Sequence, residues 1–288
     1  MLKSPCSLTP QMIGSILIKL KPQGEIKVRG NSGEDLYSLF LNVLTKNDKD
    51  LAEGINDSEK EKPLTISPLL KGAKSSQGYT LLFPNQSTSF RITYLKEELS
   101  KLIIKGFLFL SDRKEPLKFS NGEILIERVD WQQGNKANFT SFEEIFSSAQ
   151  DERKVTLEFC SPTSLRSEEE ENPFPLPEPV FSSLLKKWKA FSDVKIPALI
   201  EKEFRKIRAP RFRLKTEHVN FSDSRATGFM GKVYYELPET MSKEIQKGIN
   251  ALADFAFYSG VGYKTFLGMG QTRRVIKSKN IRDFPTVT

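Results

Sequence analysis

The sequence predicts an α+β protein built from two related domains, residues 1–150 and 151–288. Three observations carry that expectation. Short segments of alternating apolar residues, as half-buried strands require, are interleaved with longer ones whose apolar residues recur at helical spacing. The order strand–helix–strands is met twice along the chain. A length of 288 residues with 38% hydrophobic content suits two packed cores, since domains of about 140 residues are common.

In the first half, ILIKL (16–20) alternates in part and reads as a strand, closed by a turn at Pro22 and Gly24. KVRGNSGEDLYSLFLNVLTK then leads into a helix. Ser32 is its expected N-cap, Glu34 and Asp35 suit the positive end of its dipole, and Leu36, Phe40, Val43 and Leu44 share one face. NDSEKEKP (56–63) reads as a solvated loop. YTLLF (79–83), SFRITY (89–94) and ILIERV (124–129) read as strands. Between the last two, ELSKLIIKGFLFL is ambiguous, a helix running into a strand being one reading.

The order restarts at KVTLEF (154–159), where Val155, Leu157 and Phe159 share a face. A proline-rich crossing, NPFPLPEP, leads to a helix in VFSSLLKKWKAF. Strands follow in RFRLKTEHV and GFMGKVYYEL, then a helix through KEIQKGINALADFAF with Ile245, Ile249, Leu252 and Ala256 facing a core. The segment GVGYKTFLGMG (260–270) and a last strand, TRRVIK, close the second unit.

No run approaches the ~18 apolar residues that a membrane span needs, and MIGSILIKL, broken by Lys19, reads as a strand rather than a signal. With only Cys6 and Cys160, a reducing, cytoplasmic setting is expected. One histidine and two distant cysteines make no zinc site, although scattered carboxylates leave magnesium open. Neither a metal nor a cofactor is expected. The net charge is +8 and the pI near 9.3. Residues 184–232 hold thirteen Lys or Arg against five Asp or Glu, and residues 264–282 six basic and no acidic residues. Such a basic half suits a polyanion, with nucleic acid the first candidate; a solvated basic surface is the plainer alternative.

GVGYKTFLGMG sets four glycines around Lys264. Glycine lets backbone amides approach a phosphate. A nucleotide loop is excluded by spacing, because Tyr263 separates Gly262 from Lys264 and a threonine stands where a dinucleotide fingerprint needs its third glycine. The alternative is structural: Gly260 and Gly262 as helix caps, Gly268 and Gly270 as turns leading into the strand.

In this context GVGYKTFLGMG resembles the C-terminal glycine-rich loop of the CRISPR-associated repeat RNA-processing endoribonucleases, of the RAMP superfamily. PLTISPLL (63–70), FCSPTSLRS (159–167) with PLPEPVFSSLLKKWKAF (175–191), and ATGFMGKVYYEL (226–237) are similar to further segments of that family, in the same order. The resemblance implies two tandem ferredoxin-like domains with a cleft between them and an endoribonuclease acting on CRISPR repeat RNA. It implies attack by a 2′-hydroxyl on the adjacent phosphate, giving a 2′,3′-cyclic phosphate and a 5′-hydroxyl without metal. The family's general-base histidine on the first helix is matched here by Tyr37, and a second family histidine by Asn56. The catalytic candidates are therefore Tyr37, Arg29, a lysine near the first helix (Lys46 or Lys49), and the lone His218, for which catalysis, RNA contact and neither remain open.

The candidate RNA-binding residues are Lys264 with the amides of Gly260, Gly262, Gly268 and Gly270; Arg273 and Arg274; Arg208, Arg211 and Arg213; and Arg225. Phe212 and Tyr263 are possible stacking platforms. Expected partners are the precursor and mature repeat RNA and, if the chain is an inactive RAMP subunit instead, the other subunits of a CRISPR effector complex. The chain is expected to be a monomer or homodimer.

Overall fold

A computed structural model describes residues 11–57, 61–70, 74–76, 79–84, 86–131, 138–166, 171–172 and 174–276. Its first part runs β1 (Met12–Pro22), β2 (Ile26–Arg29), α1 (Gly33–Thr45), α2 (Lys49–Asp57), β3 (Leu64–Ile66), β4 (Lys74–Ser76), β5 (Tyr79–Leu82), β6 (Thr88–Tyr94), α3 (Glu97–Arg113), β7 (Leu117–Phe119), β8 (Gly122–Asp130), β9 (Asn138–Ser141) and α4 (Phe142–Ser148). The main sheet has the order β3-β6-β1-β8-β7, with β9 paired antiparallel to the start of β1, while β2, β5 and β4 form a small separate sheet. Taking β1, β3, β6 and β8 as first to fourth gives the order second-third-first-fourth, with α1 after the first strand and α3 after the third. That is the ferredoxin-like βαββαβ plan.

The second part repeats it. β10 (Lys154–Thr163), the short β11 (Leu165–Arg166) and β12 (Glu171–Asn172), α5 (Pro177–Phe191), the single turn α6 (Ile200–Glu203), β13 (Arg208–Asn220), β14 (Arg225–Glu236), α7 (Lys243–Ser259) and β15 (Thr272–Arg274) follow in turn. The sheet order β13-β14-β10-β15 is again second-third-first-fourth.

Most expected elements form where their spacing places them, and the ambiguous stretch is one helix. Leu99, Ile103, Phe107 and Leu110 of α3 recur at helical spacing and are all buried. Ser32 holds the N-cap position expected of it, but its side chain makes no capping bond. It sits at φ 67°, its hydroxyl donates to the Asn31 carbonyl and accepts from the Leu69 amide, and the Asn31 side chain instead accepts from the Gly33 amide at 2.9 Å. Residues 56–57, expected in a loop, close α2, whose start the sequence reading also missed. The last strand stops at Arg274.

The two sheets are joined through faces that alternation had already separated. In β6, Phe90 and Ile92 enter the core under α1 and α3, so Arg91 and Thr93 face the other way. There Arg91, 9% exposed, donates to Gln271 at 2.8 Å and lies 4.2 Å from the Phe257 ring, while Thr93 donates to the Tyr258 carbonyl at 2.5 Å. Gln271 donates onward to the Ile66 carbonyl. Burial pulls the Arg91 pKa down to about 10. Phe142, Ile145 and Ala149, before residue 150, pack in the second core beside Trp188 and Phe255. No helix among the described residues is long and apolar enough to cross a membrane.

Candidate functional site

The glycine-rich segment is a loop because α7 is stopped by Gly260, whose φ of 61° a side chain rarely adopts. Gly262, Gly268 and Gly270 follow with φ of 80°, 86° and 67°. Three of the four amides turn inward: Gly260 donates to the Ala256 carbonyl (3.0 Å), Gly262 to the Ser183 hydroxyl (2.8 Å) and Gly270 to the Pro162 carbonyl (2.9 Å). The expected phosphate cradle of glycine amides is therefore corrected for these three, since each N–H already has an acceptor. The glycines serve close packing instead. A Cβ at Gly262 would stand 2.3 Å from the Ser164 carbonyl oxygen, and one at Gly270 2.1 Å from that of Val261.

The side chains of the loop brace its neighbours, and that of Lys264 is only 12% exposed. Lys264, at φ 49°, reaches the tip of the β13–β14 hairpin, with Nζ 3.0 Å from Ser224 Oγ, 3.7 Å from the Asp223 carboxylate and 3.9 Å from the Phe221 ring centroid. The Ser224 hydroxyl first, then Lys264, holds the Asp223 carboxyl below its usual range. Phe266 meets Tyr37 of α1 edge to face at 5.0 Å. Tyr37 is 8% exposed and its hydroxyl is buried.

The start of α1 is clamped by the same pieces. Asn31 donates to the Leu267 carbonyl at 3.2 Å, and Gly33 lies so close to that carbonyl that a Cβ would overlap it at 1.9 Å. Gly30 abuts the Asn220 carbonyl, and the Glu34 carboxylate accepts from the Ser222 amide and hydroxyl at 2.9 and 2.8 Å. Sequence reading missed Asn31, Glu34 and Phe266. The GNSG run at 30–33 was the available signal, since paired glycines mark close backbone approach as well as a turn.

The remaining candidates separate into two groups. Arg29 ends β2, pairing with Tyr79, and its side chain lies outside the described residues. Lys49 is exposed on the first turn of α2, 3.5 Å from Glu53, and Lys46 pairs with Glu115 at 3.4 Å. Neither lysine lines the cleft of about 1370 Å³ that opens between α2, the start of α3, α5 and the loop. Ile55, Lys62, Tyr263 and Phe266 contribute to its walls, along with two ion pairs, Lys186 with Glu61 at 2.9 Å and Lys96 with Glu98 at 3.8 Å.

The second group lies along β13 and at the start of its hairpin partner β14. β13 ends its sheet, and Arg208, Arg211, Arg213 and Arg225 are exposed. Arg211 stacks 4.4 Å over the Tyr234 ring, while Arg208 lies 3.6 Å from Glu236. Phe212 is 50% exposed and meets Phe174 edge to face at 5.4 Å. His218 is exposed on the same strand, its Nδ1 3.0 Å from Thr227 Oγ1. Arg273 is open to solvent beside Glu158. Arg274 is not: its side chain is 10% exposed and bonds Glu152, Asp254 and Asn250, so its expected place on the cationic surface is corrected to a structural one.

Family models matching this chain are the CRISPR Cas6 N-terminal domain, over residues 12–147, and the CRISPR-associated endoribonuclease Cas6, over residues 157–272. A curated relative from Mycobacterium tuberculosis, "CRISPR-associated endoribonuclease Cas6", is 30% identical over 138 residues, which is 46% of this chain and 43% of that protein. One of the same name from Streptococcus thermophilus is 26% identical over 58% of this chain and 68% of its own length. The chain thus matches less than half the length of the first relative. Among solved structures, a Cas6 product complex superposes with a TM-score of 0.78 at 24% identity, covering 91% of this chain and 100% of the other. A Cas6-related protein from Pyrococcus furiosus gives 0.61 at 17% identity, over 92% and 100%. At these identities the likeness concerns the fold.

Proposed function

Because the chain belongs to the CRISPR-associated endoribonuclease Cas6 family, we propose that it binds CRISPR repeat RNA and cuts the precursor transcript within the repeat. The observation that carries this reading is the exposed arginine run of β13, with Phe212 and Tyr234 among it. Cations for phosphates interleaved with rings for unstacked bases are what single-stranded and splayed RNA requires. The deep, narrow major groove of an A-form stem admits no side chain, so a stem would be read by shape and a flank by stacking.

Cutting proceeds here by attack of a ribose 2′-oxygen on the adjacent phosphorus. The 2′-hydroxyl proton leaves to a base, the new O–P bond closes a 2′,3′-cyclic phosphate, and the 5′-oxygen departs with a proton as a 5′-hydroxyl. No step needs a metal. A buried tyrosine hydroxyl is a poor base near neutrality, its ordinary pKa being about 10, so Tyr37 serves by seating Phe266. Placement of the strand and charge stabilisation by Arg29 and Lys49 carry most of the rate, each able to supply several kcal/mol. His218 is the candidate acid for the leaving oxygen. A second reading, an inactive subunit that holds repeat RNA within an effector complex, is favoured by one observation: Tyr37 stands where the family's first-helix histidine is expected.

Incubation with repeat-containing RNA in excess chelator separates them. A single cut leaving a 2′,3′-cyclic end supports the enzyme; tight binding of RNA that stays intact supports the holding subunit.

A further inference from the structure

Helix α5 carries two adjacent lysines with opposite fates. Lys186 points to solvent and pairs with Glu61 at 2.9 Å. Lys187 is 3% exposed, on the face that also buries Leu184 and Trp188. A buried ammonium is costly unless its protons are satisfied. Here it donates to two neutral oxygens: the Ser259 carbonyl at 2.7 Å and the Thr265 hydroxyl at 3.0 Å. The first ends α7, where the helix dipole favours a cation. The second lies at the crown of the glycine-rich loop. One ammonium therefore ties the loop's stem to its crown from beneath.

Thr265 is a fitting point of attachment. It sits between Lys264 and Phe266, the two side chains that the loop extends, and its methyl carbon occupies the space that a Cβ on Gly260 or Gly270 would enter, at 3.1 and 2.8 Å. Its carbonyl accepts from Gln271, which also receives Arg91 from the first sheet. A methionine would fill the volume of Lys187 without the desolvation penalty, so what the lysine adds is the link. Burial, opposed in part by Glu61 and reinforced by Lys186, brings its pKa down to about 8. Loss of that proton leaves two N–H donors for two acceptors.

We propose that Lys187 is a positioning residue for RNA binding and cleavage: by clamping Thr265 to the end of α7 it fixes the loop in the shape that seats Phe266 on Tyr37 and ties Lys264 to the tip of the β13–β14 hairpin, and so holds the β13 surface in place for the RNA. The part of this that concerns RNA rests on the function proposed above.

The test uses the full chain with Lys187→Met, Thr265→Val, Thr265→Ser and the double variant K187M/T265V. Hydrogen exchange is read at the Val261, Tyr263 and Leu267 amides, all hydrogen-bonded in the loop, alongside repeat-RNA affinity and single-turnover cleavage. K187M and T265V are each expected to speed exchange at these amides but not in the sheets, and to weaken affinity or rate by about tenfold, a scale set by small misplacements of binding groups. T265S keeps the hydroxyl and should stay within about twofold of the parent. The double variant should be no worse than K187M within about twofold, because both remove one link. Unchanged loop exchange, or penalties that multiply in the double variant, would overturn the clamp; faster exchange with unaltered RNA handling would overturn its role for RNA. Should K187M fail to fold, T265V against T265S decides. If the parent protein neither binds nor cuts repeat RNA, the proposed function fails, and exchange alone still judges the clamp.

Discussion

Residues 260–270 turn their polar backbone inward, whereas β13 turns its arginines out. In the loop, the Gly260, Gly262 and Gly270 amides and the Lys264 ammonium all have partners within the protein. Along β13, Arg211 and Arg213 are exposed on a strand with one open edge, where charge also discourages pairing with a second sheet. Glycine enrichment therefore marks close approach of one backbone to another, and the partner here is the chain itself. Exposed cations with rings between them mark a surface left for something else. On this contrast the loop is a joint between the domains, holding the start of α1 against the β13–β14 hairpin, and β13 is the landing surface.

Substituting one glycine gives the largest expected effect. Gly270→Ala places a Cβ 2.1 Å from the Val261 carbonyl oxygen at a φ of 67°. Strain and overpacking together should lower stability by about 3 kcal/mol or more. Gly24→Ala, with nothing within 4 Å of its Cβ, should stay within about 0.5 kcal/mol. Urea unfolding of both variants measures the difference. Equal stabilities would mean that the loop is not the rigid joint described.

Alternation and helical spacing made the two βαββαβ units legible, because Val155, Leu157 and Phe159, or Leu36, Phe40 and Val43, are sorted by burial alone. What stayed hidden depended on partners far along the chain. Ser32 has the residue type of a cap, but the tight approach of Leu267 to Gly33 sets the turn, and Asn31 takes over the bonding. Lys187 and Lys186 are alike in residue type; Lys187 turns to the face of Leu184 and Trp188, where Ser259 and Thr265 arrive to accept from it. Arg274 likewise is drawn inward by Glu152 and Asp254, which no local pattern announces.

The buried lysine gives the loop a pH signature of its own. At neutral pH Lys187 is protonated in both the folded and unfolded states. Above about 8 the folded chain releases that proton, while the unfolded chain keeps it until its ordinary 10.5. The unfolded state then binds more protons, so this group's contribution to stability rises with pH across that window. The full rise is worth roughly 3 kcal/mol. Tm measured from pH 7 to 10 should therefore shift in favour of the parent protein over K187M, cancelling the tyrosines and carboxylates common to both. A constant difference between the two would place the Lys187 ammonium in contact with water.

The smallest expected effect belongs to β13, and it reads on RNA rather than on folding. Arg211→Ala and Arg213→Ala remove exposed groups, so each should leave stability within about 0.5 kcal/mol. If each cation meets a backbone phosphate, its loss reduces the slope of log affinity against log salt by about 0.7 for a single strand. Arg211 differs from Arg213 in lying over Tyr234, a stacked pair to which a base can add a third layer. Arg211→Ala should then weaken binding by about 1–3 kcal/mol, as loss of a stacking platform does. Arg213→Ala should act through salt dependence alone. Tyr234→Leu separates the two terms, since it removes the ring beneath Arg211 and keeps every charge: affinity should fall with the salt slope unchanged. Were both arginine variants to bind repeat RNA as the parent does, β13 would be a solvated edge, and the cleft between α2, α5 and the loop would become the surface to test.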